Sequence, residues 1–210
     1  MRKPLVVVTA GPSIPIAIIE AHAAALIRSV PYGWAVEYAA TDNHAGSILR
    51  TLEREADSPS VCRPVLFQDV DCLAPLSAYE RALDDFDRSA LAGLAQAACH
   101  ISPERVYAGP AFLVIDPGIW HLCGRPSPFP DAENDVAQRI SDEWCEEPVL
   151  YRPMSWDPCG PVWRAGKDRF SWDTTYENGV YHAFCIRDPG PRQTAFVQRC
   201  KRWGANGEET

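Results

Sequence analysis

Strand, helix, strand, helix and strand follow one another between Leu5 and Asp71, and that alternation confines the chain to a sheet assembled from βαβ units. Leu5-Val6-Val7-Val8 is rich in β-branched residues and stops at Ala10-Gly11-Pro12-Ser13, where glycine and proline dictate a turn. A helix is predicted from about Ile14 to Ser29, apolar on most faces as suits a helix laid against a sheet. Trp34 to Ala40 reads as the second strand, closed by the polar cluster Thr41-Asp42-Asn43-His44. Ser47 to Glu55 reads as a second helix, with Ile48, Leu49 and Leu52 on one side. After the turn at Asp57-Ser58-Pro59-Ser60, the buried type of strand Pro64-Val65-Leu66-Phe67 runs directly into Gln68-Asp69-Val70-Asp71. The expected fold class is α/β, a Rossmann-type, mostly parallel sheet flanked by helices.

Beyond this opening, Leu76 to His100 is predicted as one or two helices. Strands are expected at Val106-Tyr107-Ala108 and, past Gly109-Pro110, at Ala111 to Ile115. A proline-rich loop from Pro126 to Pro130 leads into a predicted helix from about Asp131 to Trp144. From Glu147 onward Trp156, Trp163, Trp172 and Trp203 stand among many prolines and glycines, and an irregular layer over the sheet is expected. No internal repeat interrupts the pattern, so residues 1–210 are read as one domain.

Composition narrows the setting. At 210 residues and 46% hydrophobic, the chain is long enough to bury about 70% of its unfolded surface in a single core. No stretch approaches the ~18 apolar residues of a bilayer span. The basic start Met1-Arg2-Lys3 is followed by an apolar run that breaks at Gly11, Pro12 and Pro15, before a secretory core could form. Eight cysteines spread over a chain of this size, with no C-x-x-C, read as reduced thiols of a cytoplasmic protein rather than a disulfide framework or a zinc ribbon. A net charge of −8 argues against a dedicated nucleic-acid binder. Residues 161–210, however, carry eight basic side chains against six acidic ones, so an acidic body ends in a basic tail that includes Arg192, Arg199, Lys201, Arg202 and Trp203.

The residues with the most chemistry are Asp69 and Asp71. Two carboxylates one residue apart at a strand exit can share a hard divalent cation that keeps room for diphosphate oxygens. The same acids can also be a helix cap and a solvated side chain. Their place at the carboxyl edge of a sheet, where α/β proteins bind ligands, favours the functional reading. His182, flanked by Tyr181 and Phe184 on a late strand, reads from the residues alone as a packed or hydrogen-bonded core residue, and His121, after Trp120, is a further candidate. His22, His44 and His100 read as structural. The late tryptophans either cap the core or offer flat faces to a sugar or base.

Val65 to Pro75 resembles the D-x-D segment of glycosyltransferases with a GT-A fold, in which a strand ends in paired acids and a Leu-x-Pro step follows. Glu37 to Leu49 is similar to the strand, Asp-Asn-Gly-Ser-x-Asp, helix passage of the family-two enzymes, departing from it at Thr41 and His44. Tyr107 to Ile115 resembles that family's glycine-led hydrophobic strand beside the acceptor. Ala132-Glu133-Asn134-Asp135-Val136-Ala137-Gln138-Arg139 is similar to its Glu-Asp-x-Asp-x-x-x-Arg, with Ala132 in place of the first acid.

The resemblance implies a metal-dependent, inverting sugar transfer from a nucleoside-diphosphate sugar, with uridine as the expected base and Mn2+ or Mg2+ as cofactor. Residues 1–75 would be the nucleotide half and 76–210 the acceptor half. Thr9, Ala10, Asp42, Asp69 and Gly109 would meet the nucleotide sugar, Asp71, Asp69 and His182 the metal, and Glu133 or Asp135 the acceptor proton. Retaining enzymes share the D-x-D and the late histidine. A glycan, a lipid, a protein hydroxyl or a hydroxymethylated DNA base could each serve as acceptor. Two other classes compete: a haloacid-dehalogenase-like phosphatase using Asp69 as nucleophile, against which Leu73 stands where Thr or Val is expected, and a non-catalytic nucleotide-sugar or nucleic-acid binding module.

Overall fold

The computed structural model describes residues 3–40, 43–58, 63–184 and 186–204. In chain order the first elements are β1 (Leu5–Ala10), α1 (Ile16–Ser29), β2 (Ala35–Ala40), α2 (His44–Ala56), β3 (Val65–Asp69) and β4 (Cys72–Leu73). Then come α3 (Leu76–Ser89), β5 (Leu91–Ala97), β6 (Val106–Ile115), α4 (Pro117–Leu122), α5 (Gln138–Asp142) and β7 (Val149–Tyr151). The remainder is β8 (Pro153–Trp156), β9 (Trp163–Ala165), β10 (Asp168–Phe170), β11 (Asp173–Tyr176), β12 (Tyr181–Ala183) and α6 (Pro191–Arg202). The protein is mixed α/β.

The main sheet has the order β2-β1-β3-β6-β5-β7. β1 pairs parallel with β2 and β3, while β6 runs antiparallel to β3 and β5, so the sheet is mixed where a mostly parallel one was expected. Every residue of β1 is buried because both faces of the sheet are covered. Val6 and Val8 pack with Ile18, Ala25 and Leu26 of α1. Leu5 and Val7, pointing the other way as strand alternation requires, join Ile48, Leu52 and Trp120.

Three segments depart from expectation. Helix is predicted through His100, yet α3 ends at Ser89, Ala90 turns left-handed at φ 55°, and Leu91–Ala97 continues as a wholly buried strand. An Ala- and Leu-rich run has high helix propensity, but burial on both faces of a sheet overrides it. The helix expected over 131–144 shrinks to α5. The Asp131 carboxylate accepts the backbone N–H groups of Glu133 and Asn134, each at 2.8 Å, and that turn, with Ala137 at φ 62°, holds the segment out of helix until Gln138. Pro110 does not split β6, because it falls where the pairing with β5 shifts register.

The expected irregular layer is built from short antiparallel strands: a β9/β10 hairpin and a sheet of order β4-β12-β11-β8. Within the basic tail, Pro191–Arg202 forms α6; Phe196, Cys200 and the following Trp203 are buried, and Arg28 of α1 donates to the carbonyls of Trp203 at 2.8 Å and Cys200 at 2.6 Å. Arg192 lies 4.5 Å from the Trp172 ring and Arg199 4.0 Å from that of Tyr181. Trp203→Ala should therefore lower unfolding stability by about 3–5 kcal/mol, read from urea melts, the range for emptying a buried tryptophan site.

Candidate functional site

Parallel pairing of β1 with β3 places Thr9 opposite Asp69 at the carboxyl end of the sheet. The Thr9 hydroxyl donates to Asp69 Oδ1 at 2.5 Å, and the Val70 N–H donates to the Thr9 carbonyl at 3.0 Å. Beyond Asp69 the chain turns and re-enters as β4, which pairs antiparallel with β12 so that Cys72 faces His182 and Leu73 faces Tyr181. The Ala183 N–H donates to the Asp71 carbonyl at 2.9 Å. These backbone bonds bring the buried His182 imidazole to the acid, with Nε2 3.4 Å from Asp71 Oδ1. The His182 ring packs on Phe184, and its Nδ1 is a buried atom with no hydrogen-bond partner. Asp71, Cys72 and His182 offer ligand atoms within 4.8 Å of one another.

A cavity of about 360 Å³ opens over this edge, between Thr9, the loop from Gly11 to Ile14, His44, Asp69 to Asp71, and the Ile186–Arg187 step after β12. His44, which the sequence reading set aside as structural, lines this cavity. As the first residue of α2 it places Nε2 2.6 Å from Asp69 Oδ1 and 2.8 Å from Thr9 Oγ1. Burial works against its charged form, but the Asp69 carboxylate and then Asp71 outweigh it, so the pKa of His44 is raised. Burial likewise opposes ionisation of Asp69, and His44 followed by Thr9 prevails, so its pKa is lowered. Thr9 and Asp69 meet the same ring nitrogen, so the trio is not a relay in which imidazole passes a proton between opposite nitrogens to activate a hydroxyl. Helix α2 begins at His44, three residues before the predicted start at Ser47, and this brings the imidazole to the same sheet edge as the D-x-D.

The other expected residues are distributed differently. Ala10 is buried at the end of β1, one residue before the cavity wall. Asp42 lies outside the described residues. Gly109 sits inside β6, where an added Cβ would come within 2.0 Å of Gln96 Oε1, so it is a close-packing position away from the cavity lining. Glu133 is exposed in the turn capped by Asp131, and Asp135 accepts the Tyr107 hydroxyl at 3.3 Å. Neither acid lines the cavity. His121 is on α4, accepting from Arg125 at 2.9 Å. Trp163 packs on Phe170 and Phe184 in the late layer.

Burial, followed by the charges of Asp71 and Asp69, pushes the Cys72 thiol well above the ordinary range. Among the described residues all six cysteines are free.

Behind the turn lies a buried polar network. The Cys72 carbonyl accepts from His22 Nε2 and from the Gln68 amide, both at 2.9 Å, and Gln68 Oε1 accepts the Tyr79 hydroxyl at 2.7 Å. Since Nε2 must carry the proton to donate, Nδ1 accepts the Tyr38 hydroxyl at 3.0 Å. Comparison of the chain with protein-family models gave no match, and comparison with curated proteins gave none.

Complete burial lowers the pKa of His22 to about 4. The unfolded chain then takes up a proton near pH 6.5 that the folded protein refuses until about pH 4, so stability falls as pH drops through that window. Between pH 7.5 and 5.0 the loss attributable to His22 is about 2 kcal/mol. Urea melts of His22→Asn at the two pH values should show a pH-dependent drop smaller than that of the parent by that amount. His44, whose raised pKa acts in the opposite sense, is common to both proteins and cancels in the difference.

Proposed function

We propose that this chain is a metal-dependent glycosyltransferase of GT-A-like α/β fold, moving a sugar from a nucleoside-diphosphate sugar, with uridine the expected base, to an acceptor hydroxyl. The observation that carries the reading is the meeting of Asp71 with His182 beside a cavity that also holds Arg187. Two ligand atoms each ~2.1 Å from a divalent ion and at right angles sit about 3 Å apart, close to the spacing of Asp71 Oδ1 and His182 Nε2. A carboxylate with an imidazole suits Mn2+ or Mg2+ better than a neutral thiol does. Such an ion would supply Lewis-acid stabilisation of charge growing on a diphosphate leaving group.

The chain's own groups complement an anionic donor. Arg187 brings positive charge to the cavity wall, and α1 starts just past the Gly11–Ile14 loop with no side chain capping its first turn, so its backbone N–H groups favour an anion. Thr9 and Asp69 lie where the ribose would be met. Glu133 and Asp135 are retained as the candidate bases for the acceptor hydroxyl. Because β6 runs antiparallel to β3, its first half, with Tyr107 and the attached Asp135, extends past the same sheet edge as Asp69. The acceptor reaches them from that side in this reading, and inversion is the preferred outcome. No helix among the described residues is long and apolar enough to cross a membrane.

The test is a thermal melt with Mn2+ and a panel of nucleoside diphosphates. A ligand at a hundred times its dissociation constant stabilises the native state by about 2.7 kcal/mol, so one metal and nucleotide pair should raise the midpoint by about 5–10 °C. Asp71→Asn should abolish the shift. No shift with any nucleotide, or an equal shift in the variant, removes this reading. Metal-dependent phosphate release that needs Asp69 would assign the site to the phosphatase class instead.

A further inference from the structure

Resting on the metal reading above, we propose that His44 is a positioning residue which, with Thr9, holds Asp69 out of the metal's coordination shell, so that the ion takes Asp71 and His182 from the protein and Asp69 is reserved for the nucleotide. Paired acids on a turn can both chelate one ion; what separates them is the partners that compete for each. Asp69 Oδ1 is engaged twice, by the Thr9 hydroxyl at 2.5 Å and by His44 Nε2 at 2.6 Å, and hydrogen bonds to a carboxylate are of the stronger class. Asp71 faces a different neighbour, the His182 imidazole at 3.4 Å, a spacing that two ligands of one ion can have. His44 is anchored independently of the acids, as the first residue of α2, whose cap is the Asn43 side chain accepting the Gly46 N–H. Thr9 is anchored by β1, and its hydroxyl is buried against β3. The tether on Asp69 therefore comes from β1 and α2, two elements outside the turn.

This arrangement makes an unusual demand on a variant. Removing His44 deletes one of the two hydrogen bonds to Asp69 Oδ1 and frees that carboxylate oxygen, so the ion should be held more tightly while the nucleotide loses its oriented acceptor. Mn2+ binding, followed by the electron paramagnetic resonance of the free aqua ion at fixed pH, is the direct readout. His44→Ala should bind Mn2+ about tenfold more tightly than the parent, the size of effect that changes just outside a metal's ligands produce. In saturating Mn2+ the same variant should bind uridine diphosphate about tenfold more weakly. His44→Gln, whose amide nitrogen reaches the place of Nε2, should stay within about threefold of the parent in both assays, since it retains the hydrogen bond. Thr9→Val removes the other tether without touching α2 and should also tighten Mn2+, which keeps the proposal testable if His44→Ala folds poorly.

A merely structural role would weaken metal and nucleotide together. Mn2+ affinity in His44→Ala and Thr9→Val equal to or below that of the parent, with binding still lost in Asp71→Asn, overturns this assignment alone. Absence of Mn2+ binding by the parent protein removes the metal reading and this proposal with it.

Discussion

Two residues of backbone pairing, Cys72 with His182 and Leu73 with Tyr181, hold the candidate site together. The D-x-D turn would otherwise end in open solvent, and the late histidine would belong to a separate layer. Strand β4 is too short to be stable alone and exists because β12 lies beside it and because the Cys72 carbonyl is pinned from behind by His22 and Gln68. The turn is gripped from both sides, by a sheet in front and a desolvated polar network at the back. A buried network of this kind orients its members only when each polar group has a partner. Outside that network, His182 Nδ1 is among the buried polar atoms that have no hydrogen-bond partner among the described residues.

The electrostatics follow from that geometry. Two acids stand at the mouth of one cavity, and the fold treats them differently: Asp69 Oδ1 is met by His44 and Thr9, whereas Asp71 is turned toward the His182 imidazole. Arg187 enters from a third direction, on the stretch that follows β12. The site is thus neither an acidic patch nor a basic one. It is a place where negative and positive groups alternate over short distances.

How far the sequence discloses this depends on the kind of interaction. The course from β1 to β3 was legible because its apolar runs are punctuated by glycine, proline and polar clusters, and because strands covered on both faces read as unbroken β-branched runs. Asp69 and Asp71 could be placed on the ligand edge for the same reason. Leu91–Ala97 was not legible, since alanine and leucine carry the same local signal in a buried strand as in a helix. The segment after Pro130 was misread because a single carboxylate, Asp131, captures backbone donors that a helix would have used. His44 was passed over since nothing in its own neighbourhood marks it; its meaning comes from Asp69, which a parallel pairing alone brings near. The docking of α6 was hidden in a tail read for its basic charge, whose Phe196, Cys200 and Trp203 form a stripe at helical spacing.

The β4–β12 pairing also has a kinetic meaning. It joins segments about a hundred residues apart, a contact of the slow, high-separation kind. As the chain is made from its amino end, β1, α1, β2, α2 and β3 can begin to assemble while the strand that completes the turn has yet to be synthesised. Throughout that interval the two carboxylates sit at an unfinished edge without the histidine that faces them. Competence for a ligand that needs both halves therefore arrives in one late step, which makes the site a reporter of completed folding rather than a nucleus for it.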